Sequence, residues 1–151
     1  MSYTETLAKL GVTLPDAPAP AANYVPAIRS GDLLFVSGQI SNGPDGLIKG
    51  RLGDDMSVED GAAAARACAI SMLAQVKAAC GGDIERLEQV VKLTAFVNCT
   101  PEFEDQPKVV NGASDFLVEA LGDAGRHARS AVGAILPFGV AVEIEGIFRI
   151  K

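Results

Sequence analysis

The chain predicts an α+β domain, a mixed sheet with two main helices packed on one face. Two observations carry that expectation. Apolar residues fall into short strand-like runs before, between and after two stretches with helical spacing, giving the order strands, helix, strand, helix, strands. At 151 residues and 48% hydrophobic content, the chain can also bury one core of its own, and nothing in it suggests a second domain. Helices on one face leave the opposite face of the sheet to be covered by something else, and another subunit is the simplest cover.

Each element has a local cause. Thr4–Leu10 reads as a short helix stopped by Gly11, a residue suited to the left-handed conformation that often follows a helix. Pro15–Pro26, PDAPAPAANYVP, is an extended arm, because its prolines restrict themselves and the residues before them. Residues 1–21 thus form an N-terminal helix and arm ahead of the domain. Leu33–Val36 is a compact apolar strand ending at Ser37 and Gly38, with a weaker strand around Val25–Arg29. Asn42–Met56 is a long connection, with a turn at GPDG (Gly43–Gly46) and a short strand near Leu47 and Ile48.

Ser57 caps the first long helix, with Glu59 and Asp60 favourable in its first turn. Ala65, Ala69, Met72, Leu73, Val76 and Cys80 then recur at helical spacing until Gly81 and Gly82. A strand follows at Val90–Asn98. Pro107 stands near the start of the second helix, where a missing backbone donor is tolerated, and Val109, Ala113, Phe116, Leu117 and Ala120 form its apolar stripe. Two closing strands complete the pattern, one through Arg129 and one over Ala141–Ile150.

Composition narrows the function classes. A net charge of −6 without a basic cluster argues against nucleic acid, since neutralising phosphates needs grouped Lys and Arg. Cys68, Cys80 and Cys99 are odd in number and lack metal-ligand spacing, and the single histidine is His127, so neither a disulfide framework nor a metal site is expected. No cofactor fingerprint is present. The chain shows no apolar run long enough to cross a bilayer and no signal-like leader, so a soluble, cytoplasmic protein is expected.

The closing strands carry charges inside segments patterned for burial. On Ala141–Ile150, Val142, Ile144, Phe148 and Ile150 share one face, while Glu143 and Glu145 share the other. Arg129 sits in the preceding apolar run and is expected at a sheet face as well. A fixed cation near two fixed anions is either a structural ion pair or a site, and a guanidinium fork suits a small carboxylic acid.

SGQI at Ser37–Ile40, VNGASDFL at Val110–Leu117, ARSAV at Ala128–Val132 and LPFGVAVEIE at Leu136–Glu145 resemble, in order and spacing, the blocks of the Rid family of YjgF-like reactive-intermediate deaminases. The resemblance runs from Tyr24 to the C-terminus. It implies a chorismate-mutase-like α+β fold, a homotrimer and ligand clefts between subunits. It also implies that Arg129 binds a substrate carboxylate and that Glu143 positions or activates water. Tyr24, Ser37, Gly38, Asn111 and the backbone at Ala131 would line the cleft.

The chain departs from the family pattern in places. Ala131 replaces a cysteine, Ala22 and Asn23 replace Gly-Pro before the tyrosine, and the run from Arg129 to Pro137 is one residue shorter. His127 falls outside the expected catalytic set. The activity implied is hydrolysis of 2-imino acids or enamines to 2-keto acids and ammonia, without a cofactor. The alternative is a non-catalytic protein that binds or senses small carboxylates. An endoribonuclease label attaches to some relatives, and the charge pattern here does not support it.

Overall fold

The computed structural model describes residues 1–17 and 22–151. Its main elements, in chain order, are α1 (Tyr3–Lys9), β1 (Ala27–Ser30), β2 (Leu33–Ile40), β3 (Asn42–Gly43), β4 (Gly46–Leu47), α2 (Val58–Ala79), β5 (Leu87–Asn98), α3 (Gln106–Leu121), β6 (Ala128–Ala134) and β7 (Val142–Ile150). Five strands form one sheet in the order β1-β2-β7-β5-β6, and β3 and β4 form a small hairpin. All pairs in the main sheet are antiparallel except β5 with β6, which run parallel because α3 carries the chain back between them. The expected α+β arrangement is therefore the observed one.

The helical stripes are buried as their spacing predicts. Ala65, Ala69, Met72, Leu73, Val76 and Cys80 from α2 meet Val109, Ala113, Phe116, Leu117 and Ala120 from α3 in one core, with Val142, Ile144, Phe148 and Ile150 of β7. Ser57 caps α2 by accepting from the Asp60 N–H. The two helices approach closely at Gly112, where a Cβ would run into the Ala62 carbonyl.

Several boundaries differ for identifiable reasons. α1 begins at Tyr3 because Ser2 caps it in a reciprocal box with Glu5. The Glu85 carboxylate also accepts from the Tyr3 and Thr4 N–H groups at 2.9 Å, which pins this end to the domain. The weak first strand lies at Ala27–Ser30. The middle of the arm expected over Pro15–Pro26 falls, at 18–21, outside the described residues. The turn at GPDG closes the β3–β4 hairpin, with Gly46 at φ 105°.

The largest departure is in β2, which does not stop at Ser37 and Gly38 but continues to Ile40. Its register against β7 shifts between Val36 and Gln39, so Ser37 and Gly38 form a bulge inside the strand rather than a turn after it. Buried Gln39 stabilises the bulge by donating to the Ser37 carbonyl at 2.9 Å.

The face of the sheet away from the helices is partly apolar and uncovered. One row across it joins Ile28, Phe35 and Ile147, and another joins Ile40, Glu143, Phe96 and Val132. Ile28, Phe35 and Val132 on this face are exposed by 61%, 39% and 45%.

Candidate functional site

The sequence places Arg129, Glu143 and Glu145 on strands, and the register decides which way they face. Leu93 of β5 lies opposite Arg129 on β6 and is buried against the helices, so Arg129 stands on the helix side of the sheet. Its guanidinium donates from Nη1 to the Ser114 hydroxyl at 2.9 Å and from Nη2 to the Pro107 carbonyl at 3.3 Å, both on α3. Asn111 lies on α3 between these two contacts, four residues after Pro107 and three before Ser114. It is therefore on the same helical stripe and is solvent-exposed. Ala131 follows Arg129 on the same side of β6 and packs against the core.

Glu143 is elsewhere. Its neighbours Val142 and Ile144 are buried under the helices, so Glu143 and Glu145 project from the opposite face, as their alternation requires. β5 lies between β6 and β7. The expected cluster of one cation beside two anions is thus not formed within the chain, and neither is the ion pair that was its structural alternative. Local alternation fixes the parity of each strand but not the strand inserted between them. Among the described residues, the ion pairs are Lys108–Asp105, Arg126–Asp123 and Arg149–Glu88, all at the surface.

A second group of residues gathers around Glu143. A Cβ placed on Gly38 would lie 2.7 Å from Glu143 Oε2, so the carboxylate rests against the bare backbone of the β2 bulge. Ser37, next in the bulge, donates its hydroxyl to the Val25 carbonyl at 2.8 Å, which ties this corner to the segment carrying Tyr24. Tyr24 itself is 54% exposed. Partial burial, and then the neighbouring charge of Glu145, push the Glu143 carboxyl above its ordinary range, which makes its ionised form a better proton acceptor.

The seven expected residues therefore form two half-sites. Arg129, Asn111 and Ala131 flank the β6 edge on the helix side. Glu143, Gly38, Ser37 and Tyr24 lie by the β2 bulge on the open side. Two residues outside the expected set join the first half: Ser114, which bonds Arg129, and His127, whose Nε2 lies 2.9 Å from the Ser114 hydroxyl. The spacing of Pro107, Asn111 and Ser114 along one helical stripe was a sequence signal for Ser114; nothing local pointed to its contact with His127. Among the cysteines, Cys68 is fully buried, and burial raises its thiol far above the range of a nucleophile. No group of His, Cys, Asp and Glu suited to a metal occurs among the described residues.

A mixed five-stranded sheet backed by two helices, with one parallel pair at its edge, defines a class of small α+β proteins. The chain belongs to the YjgF/chorismate mutase-like family, described as "YjgF/chorismate_mutase-like, putative endoribonuclease", which matches residues 4–141. Protein TCP17 of Trypanosoma cruzi is 49% identical over 148 residues, covering 96% of this chain and 92% of that protein. The structure of Atu1372 from Agrobacterium tumefaciens superposes with a TM-score of 0.91 at 45% identity, covering 99% of this chain and 94% of that one. A protein from Shewanella oneidensis described as a "putative endoribonuclease" superposes with a TM-score of 0.94 at 32% identity, covering 99% and 100%. No helix among the described residues is long and apolar enough to cross a membrane.

Proposed function

We propose that this protein hydrolyses 2-imino acids, or their enamine tautomers, to 2-keto acids and ammonia in clefts between the subunits of a homotrimer. The observation that carries this reading is the division of the site into two halves facing opposite sides of one sheet. A half-site ending in a guanidinium at a strand edge, and another ending in a carboxylate on an uncovered apolar face, are each incomplete; they complement one another when the edge of one copy meets the face of the next.

In such a cleft Arg129 holds the substrate carboxylate through a planar pair of hydrogen bonds, with Asn111 beside it. Glu143 of the adjoining copy accepts a proton from water as the water oxygen bonds to the imine carbon. The imine nitrogen takes up one proton from solvent, Glu143 returns its proton to the same nitrogen in the tetrahedral intermediate, ammonia leaves, and the hydroxyl oxygen releases its remaining proton to solvent as it becomes the carbonyl of the 2-keto acid. The imine is already electrophilic, so positioning and one proton acceptor suffice. Tyr24, Ser37 and Gly38 shape the wall around Glu143. No cofactor enters the scheme.

Carboxylate binding without turnover is the second reading, favoured by Ala131, which leaves only a methyl group and backbone where typical deaminases have a thiol. A ribonuclease activity, suggested by the names of relatives, finds little support in a net charge of −6. The deciding experiment follows ammonia release from freshly generated imino acids with wild type and Arg129→Ala. Acceleration by wild type alone supports hydrolysis. Saturable stabilisation by keto acids without turnover supports binding, and full activity in Arg129→Ala sinks the assignment of the site.

A further inference from the structure

We propose that Ser114 and His127 are positioning residues that hold Arg129 in its carboxylate-binding pose through a hydrogen-bond relay of fixed polarity. The proposal rests on the reading of Arg129 as the carboxylate anchor. Three contacts define the relay: His127 Nδ1 to the Gly125 carbonyl at 2.6 Å, His127 Nε2 to the Ser114 hydroxyl at 2.9 Å, and Arg129 Nη1 to the same hydroxyl at 2.9 Å.

The partners dictate the proton positions. A carbonyl only accepts, so Nδ1 carries the imidazole proton and the neutral ring offers a lone pair at Nε2. Arg129 only donates, so the Ser114 oxygen accepts from it and sends its own proton to His127 Nε2. The hydroxyl thereby turns the negative end of its dipole towards the guanidinium. A protonated His127 would instead donate from Nε2 and compete with Arg129 for the Ser114 oxygen. Burial, opposed by the Gly125 contact and assisted by the Arg129 charge, lowers the His127 pKa and favours the neutral ring that the relay needs.

The relay acts on a long and otherwise mobile side chain. An arginine loses considerable rotamer freedom when it binds a ligand. Ser114 and the Pro107 carbonyl remove part of that freedom in advance and leave the rest of the fork available to a carboxylate.

The test uses pyruvate binding by calorimetry and imine turnover in wild type, Ser114→Ala, Ser114→Thr, His127→Phe, the Ser114→Ala/His127→Phe double variant and Arg129→Ala. Nitrogen NMR of the imidazole accompanies them, which is unambiguous because His127 is the only histidine. Ser114→Ala and His127→Phe should each weaken pyruvate binding and raise KM about tenfold, with kcat little changed. The double variant should be little worse than either single one, and Ser114→Thr should restore most of the affinity. The NMR signal should be that of the Nδ1–H tautomer.

An Nε2–H tautomer overturns the relay. So does wild-type affinity in Ser114→Ala and His127→Phe while Arg129→Ala fails to bind, a result that leaves the carboxylate assignment standing. If Arg129→Ala binds pyruvate as wild type does, the carboxylate assignment itself fails and the proposal fails with it.

Discussion

The Glu143 carboxylate occupies the space that a side chain at position 38 would fill: a Cβ on Gly38 would lie 2.7 Å from Oε2. The absence of a side chain in the β2 bulge therefore sets where the carboxylate can rest. The contact involves the far end of a flexible side chain, so a methyl group at this position displaces the carboxylate more readily than it disturbs the fold.

Gly38→Ala should consequently separate activity from stability. Its kcat/KM for imine hydrolysis is expected to fall about tenfold or more through misplacement of Glu143, while Tm shifts by no more than about 2 °C. Comparing melting curves with turnover checks this. A large loss of stability with normal activity in the remaining folded protein would contradict it.

If each cleft takes Arg129 from one copy and Glu143 from the next, two inactive variants should rescue one another. Arg129→Ala and Glu143→Gln proteins, unfolded together and refolded as mixed trimers, should recover roughly a quarter of wild-type activity, because about that fraction of interfaces pairs two intact halves. Separately refolded samples, mixed only afterwards, should stay inactive. Equal inactivity in both preparations would contradict a cleft shared between copies.

The raised Glu143 pKa has a sign that can be checked twice. Its carboxyl binds protons more readily in the folded than in the unfolded state, so its contribution to stability is fully present below the unfolded pKa and is lost as pH rises through the folded value. Glu143→Gln should therefore gain thermal stability over wild type near neutral pH and lose that advantage in acid. Turnover moves the opposite way, since the ionised form accepts the proton: wild-type kcat should fall as pH drops through the raised pKa.

Glu85 behaves oppositely. Burial alone would raise its carboxyl, but hydrogen bonds from Thr4 and Tyr3 outweigh burial and hold it below the usual range. Its contribution is present above the unfolded pKa and is lost as pH falls through the folded one. Glu85→Ala should cost about 1 kcal/mol at neutral pH, as loss of a helix cap does, with a smaller cost in acid. Hydrogen exchange should show the loss concentrated in α1, with turnover unchanged.

Part of the site's arrangement is legible in the sequence. Glu143 and Glu145 alternate with Val142, Ile144 and Phe148, so their shared face followed from period two. Asn111 stood off the apolar stripe of α3, and it is exposed as that placement implies. The sequence presents the bulge at Ser37 and Gly38 as a strand end, because a serine and a glycine after an apolar run look alike in a turn and in a bulge. Only the continued pairing of Gln39 and Ile40 with β7 tells them apart. His127 and Ser114 are thirteen residues apart on different elements, and no periodicity joins them.

By itself the sequence determined the two long helices, the closing strand and which side chains share a face on them, because burial against a single core imposes a local repeat on each of these elements. The tertiary structure alone decided that β5 lies between the strands of Arg129 and Glu143, and that these residues face opposite sides of the sheet. Strand order and register are set by pairings between distant segments, for which a local pattern holds no record.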